Sequence, residues 1–243
     1  MSEQQTFVSH LIELRSRLVK AVVAIIIIVA IQLPFASKIY TIMARPVMAY
    51  LPENSSMIAT GVLSPFFTPF KMVFILGFII AMPFILYQIW AFIAPGLYKH
   101  EKRIARPLLF SSIVLFYLGC LFAYFVIFPI LFQFLPAILP SSILYMPDIN
   151  SYLDTIVRLF FAFGLAFEVP IAVILLILLG VTTPEKLTNN RPYVIIGVFV
   201  VGMILTPPDP VSQTLMAIPM WTLFEVGIIM GRILKKKPKV IEE

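Results

Sequence analysis

A single carboxylate, Glu168, stands inside an apolar run from Leu159 to Gly180. At ~1.5 Å per residue that run is about 33 Å long, enough to cross a bilayer. An acid near its midpoint costs on the order of 3 kcal/mol on insertion scales, so it faces a bundle interior or a water-filled cavity. Two chemistries suit it. A protonated glutamic acid bonds a neighbouring helix as structural glue, or the group serves a polar function in the membrane, such as proton relay.

Two further carboxylates lie among basic residues. In HLIELRSRL (His10 to Leu18), Phe7, Leu11, Leu14 and Leu18 recur at helical spacing, with His10, Glu13, Arg17 and Lys20 opposite. This is an amphipathic turn leading into the membrane. Glu13 four residues before Arg17 is the favourable order for a helix pair worth about 0.3 kcal/mol, and the pattern alone favours that role. Glu101, in APGLYKHEKRIARP (Ala94 to Pro107), is the sole acid among Lys99, Lys102, Arg103 and Arg106; it could receive a cationic ligand, but these neighbours would already satisfy it, so the pattern favours a local salt-bridge network. His100-Glu101 opens a zinc-protease-like pattern, but position 104 is isoleucine. With two histidines and one cysteine, Cys120, no zinc site assembles, and no cofactor or metal is expected. Gly-rich phosphate loops, nucleophile elbows and paired carboxylates are missing, which argues against an enzyme. A proton-coupled secondary transporter of a small solute, using Glu168, stays open.

The elements that must carry these groups are membrane helices. Hydrophobic residues make up 60% of the chain and charged residues 12%, half the usual share, so nearly all of it belongs in lipid. Six spans are expected: Leu18 to Phe35, Phe70 to Ile93, Leu108 to Leu135, Leu159 to Gly180, Tyr193 to Leu205 and Leu215 to Ile233. The first is a retained signal anchor, since its apolar run is long and Pro34 occupies the small-residue cleavage position. Of 18 basic residues, only Lys38, Arg45, Lys71 and Arg158 fall on one side of this arrangement. The positive-inside rule then puts both termini in the cytoplasm. The +6 charge is thus a topology signal, and the tail from Lys235 to Lys239 meets water or anionic lipid rather than nucleic acid.

Twenty prolines punctuate the chain. Pro69, Pro95, Pro107, Pro192 and Pro207 are expected to bound spans, while Pro83, Pro129, Pro170 and Pro219 fall inside and should kink them, favouring a curved wall. Span five, at about 20 Å, is short of the ~30 Å hydrocarbon core, and with a short sixth span it should thin the bilayer or lean on partners. Thr206, Asp209 and Gln213 lie at the outer end of that hairpin, placed either to cap helices or to hydrogen-bond a single-span partner.

Taken together, the segments HLIELRSRL, SPFFTPFK, YQIWAFIAPGLYKHEKR, LFAYFVIFP, AFGLAFEVP, RPYVIIGVFVVGMILTPPD and SQTLMAIPMWTLFE resemble the TatC family, the core membrane subunit of the twin-arginine protein translocase. The resemblance runs nearly full length and in order. It implies an all-α membrane protein, one polytopic domain over 1–243, with an amphipathic cytoplasmic segment 1–17 and a basic tail 232–243. Six kinked helices would form a concave, glove-like wall in a bacterial inner membrane.

The resemblance also implies binding of Arg-Arg signal peptides of folded precursors at the cytoplasmic face. Glu13 and Glu101 would meet the arginine pair, framed by Arg15, Phe92, Leu97, Tyr98 and Arg103. Pro46, Tyr124 and Glu168 would belong to the concave wall. Met203, Thr206, Asp209 and Gln213 would dock single-span partners of the TatA and TatB type. Self-association in a multimeric receptor and use of the proton-motive force complete what the resemblance implies.

Overall fold

The computed structural model describes residues 3–50, 56–93, 102–137, 140, 146–205 and 210–235. Among them the chain is helical, broken by short connections and by one isolated parallel bridge between Ile58 and Asp148. The helices are α1 (Glu3–Gln32), α2 (Ala36–Tyr50), α3 (Ser64–Ile93), α4 (Lys102–Phe122), α5 (Phe128–Ala137), α6 (Ile149–Leu178), α7 (Pro184–Asn189), α8 (Arg191–Leu205) and α9 (Pro210–Lys235). Five segments are long and apolar enough to cross a membrane: Leu11–Arg45, Ser64–Ile93, Ala105–Gln133, Ile149–Leu178 and Gln213–Leu234. A sixth, shorter apolar helix is Arg191–Ile204.

Several expected boundaries move, each for a reason in backbone chemistry. The first span does not stop at Phe35. One 3₁₀ turn, Leu33–Phe35, absorbs Pro34, and the chain stays helical through Tyr50. Pro69 and Pro107 lie inside α3 and α4 rather than at their starts. Each is the sixth residue of its helix, so its ring withholds one bond from the carbonyl four residues back, the second residue of the helix, and the helix continues past it. Within the expected third span, a π-helical turn at Ala123–Ile127 precedes Pro129, the second residue of α5. A wider turn relieves the ring's clash with the preceding carbonyls. The sixth span is not short: α9 has 26 residues. It starts at Pro210 because proline is well tolerated at a first helical position, so the polar residues before Leu215 join the helix.

The chain resolves into two compact units. Unit 1 comprises residues 1–95 and 126–157; unit 2 comprises 96–125 and 158–243. In unit 1, α1 and α3 pack tightly because Gly77 admits Val29: a Cβ there would lie 2.5 Å from a Val29 methyl. Val29, Ala36 and Val73 form the buried cluster beside this contact, with Ile25, Ile39 and Phe70 against it. The outward residues of α1, including Leu18, Val22, Ile26 and Ile31, are exposed and apolar, as a lipid solvent demands.

Two helix starts in unit 1 are tied together. Asp148 caps α6, its Oδ1 accepting the N–H groups of Asn150 and Ser151 at 3.0 Å. Its Oδ2 accepts the Thr60 N–H at 2.9 Å and hydroxyl at 2.8 Å. Lys71 of α3 pairs with Asp154 of α6, and the Tyr152 hydroxyl donates to the Met43 carbonyl of α2 at 2.8 Å.

Unit 2 has its own core of Val173, Ile177, Phe224 and Ile228, with Val169, Leu187 and Val194 packed on it. Arg191 at the start of α8 grips Glu225 of α9 with two bonds, Nε to Oε1 at 2.6 Å and Nη2 to Oε2 at 2.5 Å.

Candidate functional site

Glu13 lies on α1 where sequence periodicity places it, paired with Arg17. Nε (3.0 Å) and Nη2 (2.5 Å) of Arg17 both donate to Oε1. The helix-pair alternative therefore describes the chain as it stands, but with one oxygen engaged; Oε2 takes no partner among the described residues. The Glu13 side chain is 36% exposed, so this pair contributes no more than about 0.5 kcal/mol and yields easily to a stronger cation. Arg15 is exposed and lies about 200° around α1 from Glu13, away from its face.

Phe92, half-buried, is the penultimate residue of α3 in the same unit. Its height follows from the Val29–Gly77 contact. Glu13 precedes Val29 by 16 residues and Phe92 follows Gly77 by 15 on the antiparallel helix, so both lie about 23 Å from the contact at ~1.5 Å per residue. Helix geometry thus brings Glu13 and Phe92 to one level of unit 1. Leu97, Tyr98 and Glu101 lie outside the described residues, as does the side chain of Arg103, whose backbone opens α4. The side chain of Pro46 on α2 is likewise undescribed.

Glu168 is the twentieth residue of the thirty-residue α6, two-thirds along rather than central, because the helix starts ten residues before Leu159. Ser112 of α4, fully buried, donates its hydroxyl to Glu168 Oε2 at 2.5 Å. Oε1 is buried and has no hydrogen-bond partner among the described residues. This is a polar point inside unit 2, held in register by close contact. Gly119 lies against the Phe163 carbonyl, where any Cβ would collide with backbone, and Gly164 faces the ring of Phe116. Phe122 packs at a tilt against Phe163 and Phe167 at centroid distances of 5.4 and 5.7 Å, closing the same α4–α6 seam. Tyr124, half-buried in the π turn, meets Phe125 edge-on.

At the α8–α9 turn, Gly202 packs on Gln213, whose backbone lies 3.8 Å from a Cβ built there. Met203 is the next residue and is 53% exposed. These two predicted docking residues are therefore brought to one end of the hairpin; Thr206 and Asp209 lie outside the described residues.

Sequence reasoning missed Ser112, Glu225 and the Thr60–Asp148 tie. Ser112 is one of two serines in an apolar run, which hydropathy alone does not distinguish. Glu225 carries a better signal, a lone acid near the middle of the expected sixth span, with Arg191 flanking the fifth. Among the described residues no group of three or more His, Cys, Asp or Glu could hold a metal.

Comparison with known proteins converges on one family. Residues 9–219 match the model described as Sec-independent protein translocase protein (TatC). The Sec-independent protein translocase protein TatC of Azotobacter chroococcum mcd 1 is 55% identical over 229 residues, covering 94% of this chain and 90% of that protein. Its counterpart from Escherichia coli (strain K12) is 51% identical over 243 residues, covering 100% and 94%. A solved structure described as "Crystal Structure of Twin Arginine Translocase Receptor- TatC" aligns with a TM-score of 0.83 at 42% identity, covering 93% of this chain and all of that one.

Proposed function

Because the chain belongs to the TatC family of Sec-independent protein translocase proteins, we propose that it is the receptor and scaffold that binds Arg-Arg signal peptides of folded precursors. It is a multi-pass membrane component of a translocase and not an enzyme. In the proposed arrangement residues 1–243 act as one polytopic domain crossing a bacterial inner membrane six times, α8 being the short crossing. Both termini lie in the cytoplasm, in keeping with the basic asymmetry. Family membership sets aside the solute-transporter alternative.

The observation that carries the reading is Glu13: a half-exposed carboxylate with one oxygen unengaged, level with Phe92 at the end of unit 1 that holds the basic N-terminus. A signal-peptide guanidinium can bond that carboxylate in a bidentate, charge-assisted way that lysine geometry does not reproduce. Glu101 takes the second arginine in this proposal, with Arg15, Phe92, Leu97, Tyr98 and Arg103 framing the site. Pro46, Tyr124 and Glu168 belong to the wall the peptide passes. TatA-type and TatB-type subunits dock on Met203, Thr206, Asp209 and Gln213, copies of the receptor self-associate, and the proton-motive force drives export.

The test is co-purification of a folded precursor carrying an Arg-Arg signal. We expect retention of that precursor, its loss when the pair becomes Lys-Lys, and weaker signal-peptide crosslinking with Glu13→Gln. Equal retention of the Lys-Lys precursor would remove the basis for a carboxylate receptor.

A further inference from the structure

A second site lies in unit 1, where α1 gives way to α2. The 17 residues from Ala21 to Ser37 carry no charge, and Lys20 and Lys38 bracket them. Both lysines are exposed, and each stands nine residues from Val29, the α1 residue seated on Gly77 of α3. At ~1.5 Å per residue the two lysines are about 27 Å apart, close to the ~30 Å of a bilayer's hydrocarbon core. The contact of Val29 with Gly77 therefore marks the midplane, and Lys38 marks the edge of the leaflet farther from the N-terminus.

Beyond that edge α2 turns a cationic face outward. Arg45 follows Lys38 by seven residues, which is two helical turns to within about 20°. The other side of α2 is packed: Ala36 belongs to the cluster with Val73, and Ala44 is buried. Arg45 is exposed like Lys38, and among the described residues neither has a counter-ion, whereas Lys71 of α3 is neutralised by Asp154. Arg45 lies about 10 Å beyond Lys38, while the polar layer of one leaflet is about 5 to 7 Å thick. Lys38 thus stands just below the phosphates and Arg45 just above them. Extended Lys and Arg side chains reach about 6 Å and bend toward headgroups, so both charges meet one phosphate between them. Arginine offers it a fork of donors and lysine a point charge. Below this level Ile27 and Ile31, each two residues from Val29 on the opposite side of α1, and Phe35 are all more than half exposed. A phosphate position between two cations, over an apolar helix face, outlines an anionic phospholipid. A zwitterionic headgroup would bring its own ammonium against these charges, and an acidic peptide would leave the apolar face unused.

We propose that Lys38 and Arg45 bind the phosphate of an anionic phospholipid in the leaflet farther from the N-terminus, its acyl chains lying along Ile31 and Phe35. The site is separate from the Glu13 face. It depends neither on the signal-peptide reading nor on which side of the membrane the termini occupy.

The test uses the full chain reconstituted in vesicles, with Trp90→Phe, Trp221→Phe and one fluorescent reporter, Phe35→Trp. Quenching of the reporter by dibrominated phosphatidylglycerol is compared with quenching by dibrominated phosphatidylcholine. Each cation beside an anionic headgroup favours it about fivefold. Phosphatidylglycerol should therefore be preferred at the reporter about fivefold or more, less so with Lys38→Gln or Arg45→Gln alone, and close to equally with phosphatidylcholine in the double variant. Both side chains are exposed and unpaired among the described residues, so these variants should melt with the parent. Lys20→Gln, at the other edge of the bilayer, should leave the preference unchanged. Equal quenching of the parent by the two lipids would overturn the proposal, as would a preference that survives the double variant or is lost with Lys20→Gln. It is equally overturned if millimolar hexaglutamate abolishes the preference, which would make this face a dock for an acidic polypeptide.

Discussion

Removing the Ser112 hydroxyl should expose what Glu168 is for. In the wild type, one carboxyl oxygen accepts a 2.5 Å bond from a fully buried serine and the other is buried without a partner among the described residues. Ser112→Ala therefore strips the carboxyl of its one described partner. An interhelical bond in a membrane protein is worth about 0.6 to 2 kcal/mol, and stranding a second oxygen raises the expected loss to about 1 to 3 kcal/mol. Glu168→Leu in the Ser112→Ala background removes donor and acceptor together, and such paired replacements are close to neutral. The cycle thus predicts a coupling of about 1 to 2 kcal/mol, read by thermal unfolding in detergent. Export of an Arg-Arg precursor supplies the second axis. If Glu168 serves transport, the double variant recovers stability but not export, and Glu168→Gln, which keeps a hydrogen-bonding group, exports better than Glu168→Leu. A double variant that exports at the wild-type rate would reduce Glu168 to helix glue, and a Ser112→Ala loss below about 0.3 kcal/mol would refute the bond itself.

Three other outcomes follow from features described above. A cysteine at the exposed Ser56, in a Cys120→Ala background, should label from outside intact cells and one at Lys186 should not; the reverse pattern would overturn the orientation. Gly119→Ala should cost about 1 to 3 kcal/mol because its Cβ meets Phe163 backbone, whereas Gly197→Ala, with open space around it, should be neutral or stabilise α8 by up to about 1 kcal/mol; equal melting of the two would contradict the close approach. The Thr60 N–H, with the Ser151 N–H, the Thr60 hydroxyl and the Asn150 N–H, holds the Asp148 carboxyl well below the usual carboxylate range. A depressed folded-state value means stability that is complete above the ordinary carboxylate pKa of about 4 and fades as pH falls below it. Thermal melts should show Asp148→Asn destabilised at pH 7 and at pH 5 alike, its gap from wild type closing only below about pH 4.

Hydropathy revealed the long apolar helices because lipid imposes composition on every face, as the exposed leucines, valines and isoleucines of α1 illustrate. It misjudged ends. The first span is expected to end at Phe35, with Lys38 and Arg45 beyond it, yet helical hydrogen bonding continues through α2, since polarity marks the edge of lipid and not the edge of a helix. Glu168 was legible because one charge in an apolar run is conspicuous. Ser112, Thr60 and Asp154 were not, because their roles rest on partners 56, 88 and 83 residues away, and no local period encodes such pairings. Glu13 was legible as a candidate, but the choice between helix pair and ligand site turns on which carboxylate oxygen Arg17 occupies, a question of rotamers.

The interleaving of the two units has a consequence in time. Residues 1–95 emerge from the ribosome first, but unit 1 also requires residues 126–157, which follow part of unit 2. Thr60 waits for an aspartate 88 residues downstream, and Lys71 for one 83 residues on. At about 5 to 20 residues per second, that is an interval on the order of 4 to 18 s. During it, α1 and α3 can pair through Val29 and Gly77, while segment 56–60 has no bridge and Lys71 no counter-ion. Biogenesis of this chain therefore passes through a half-built state that lasts until α6 arrives, and a pause in synthesis between α3 and α6 would prolong it.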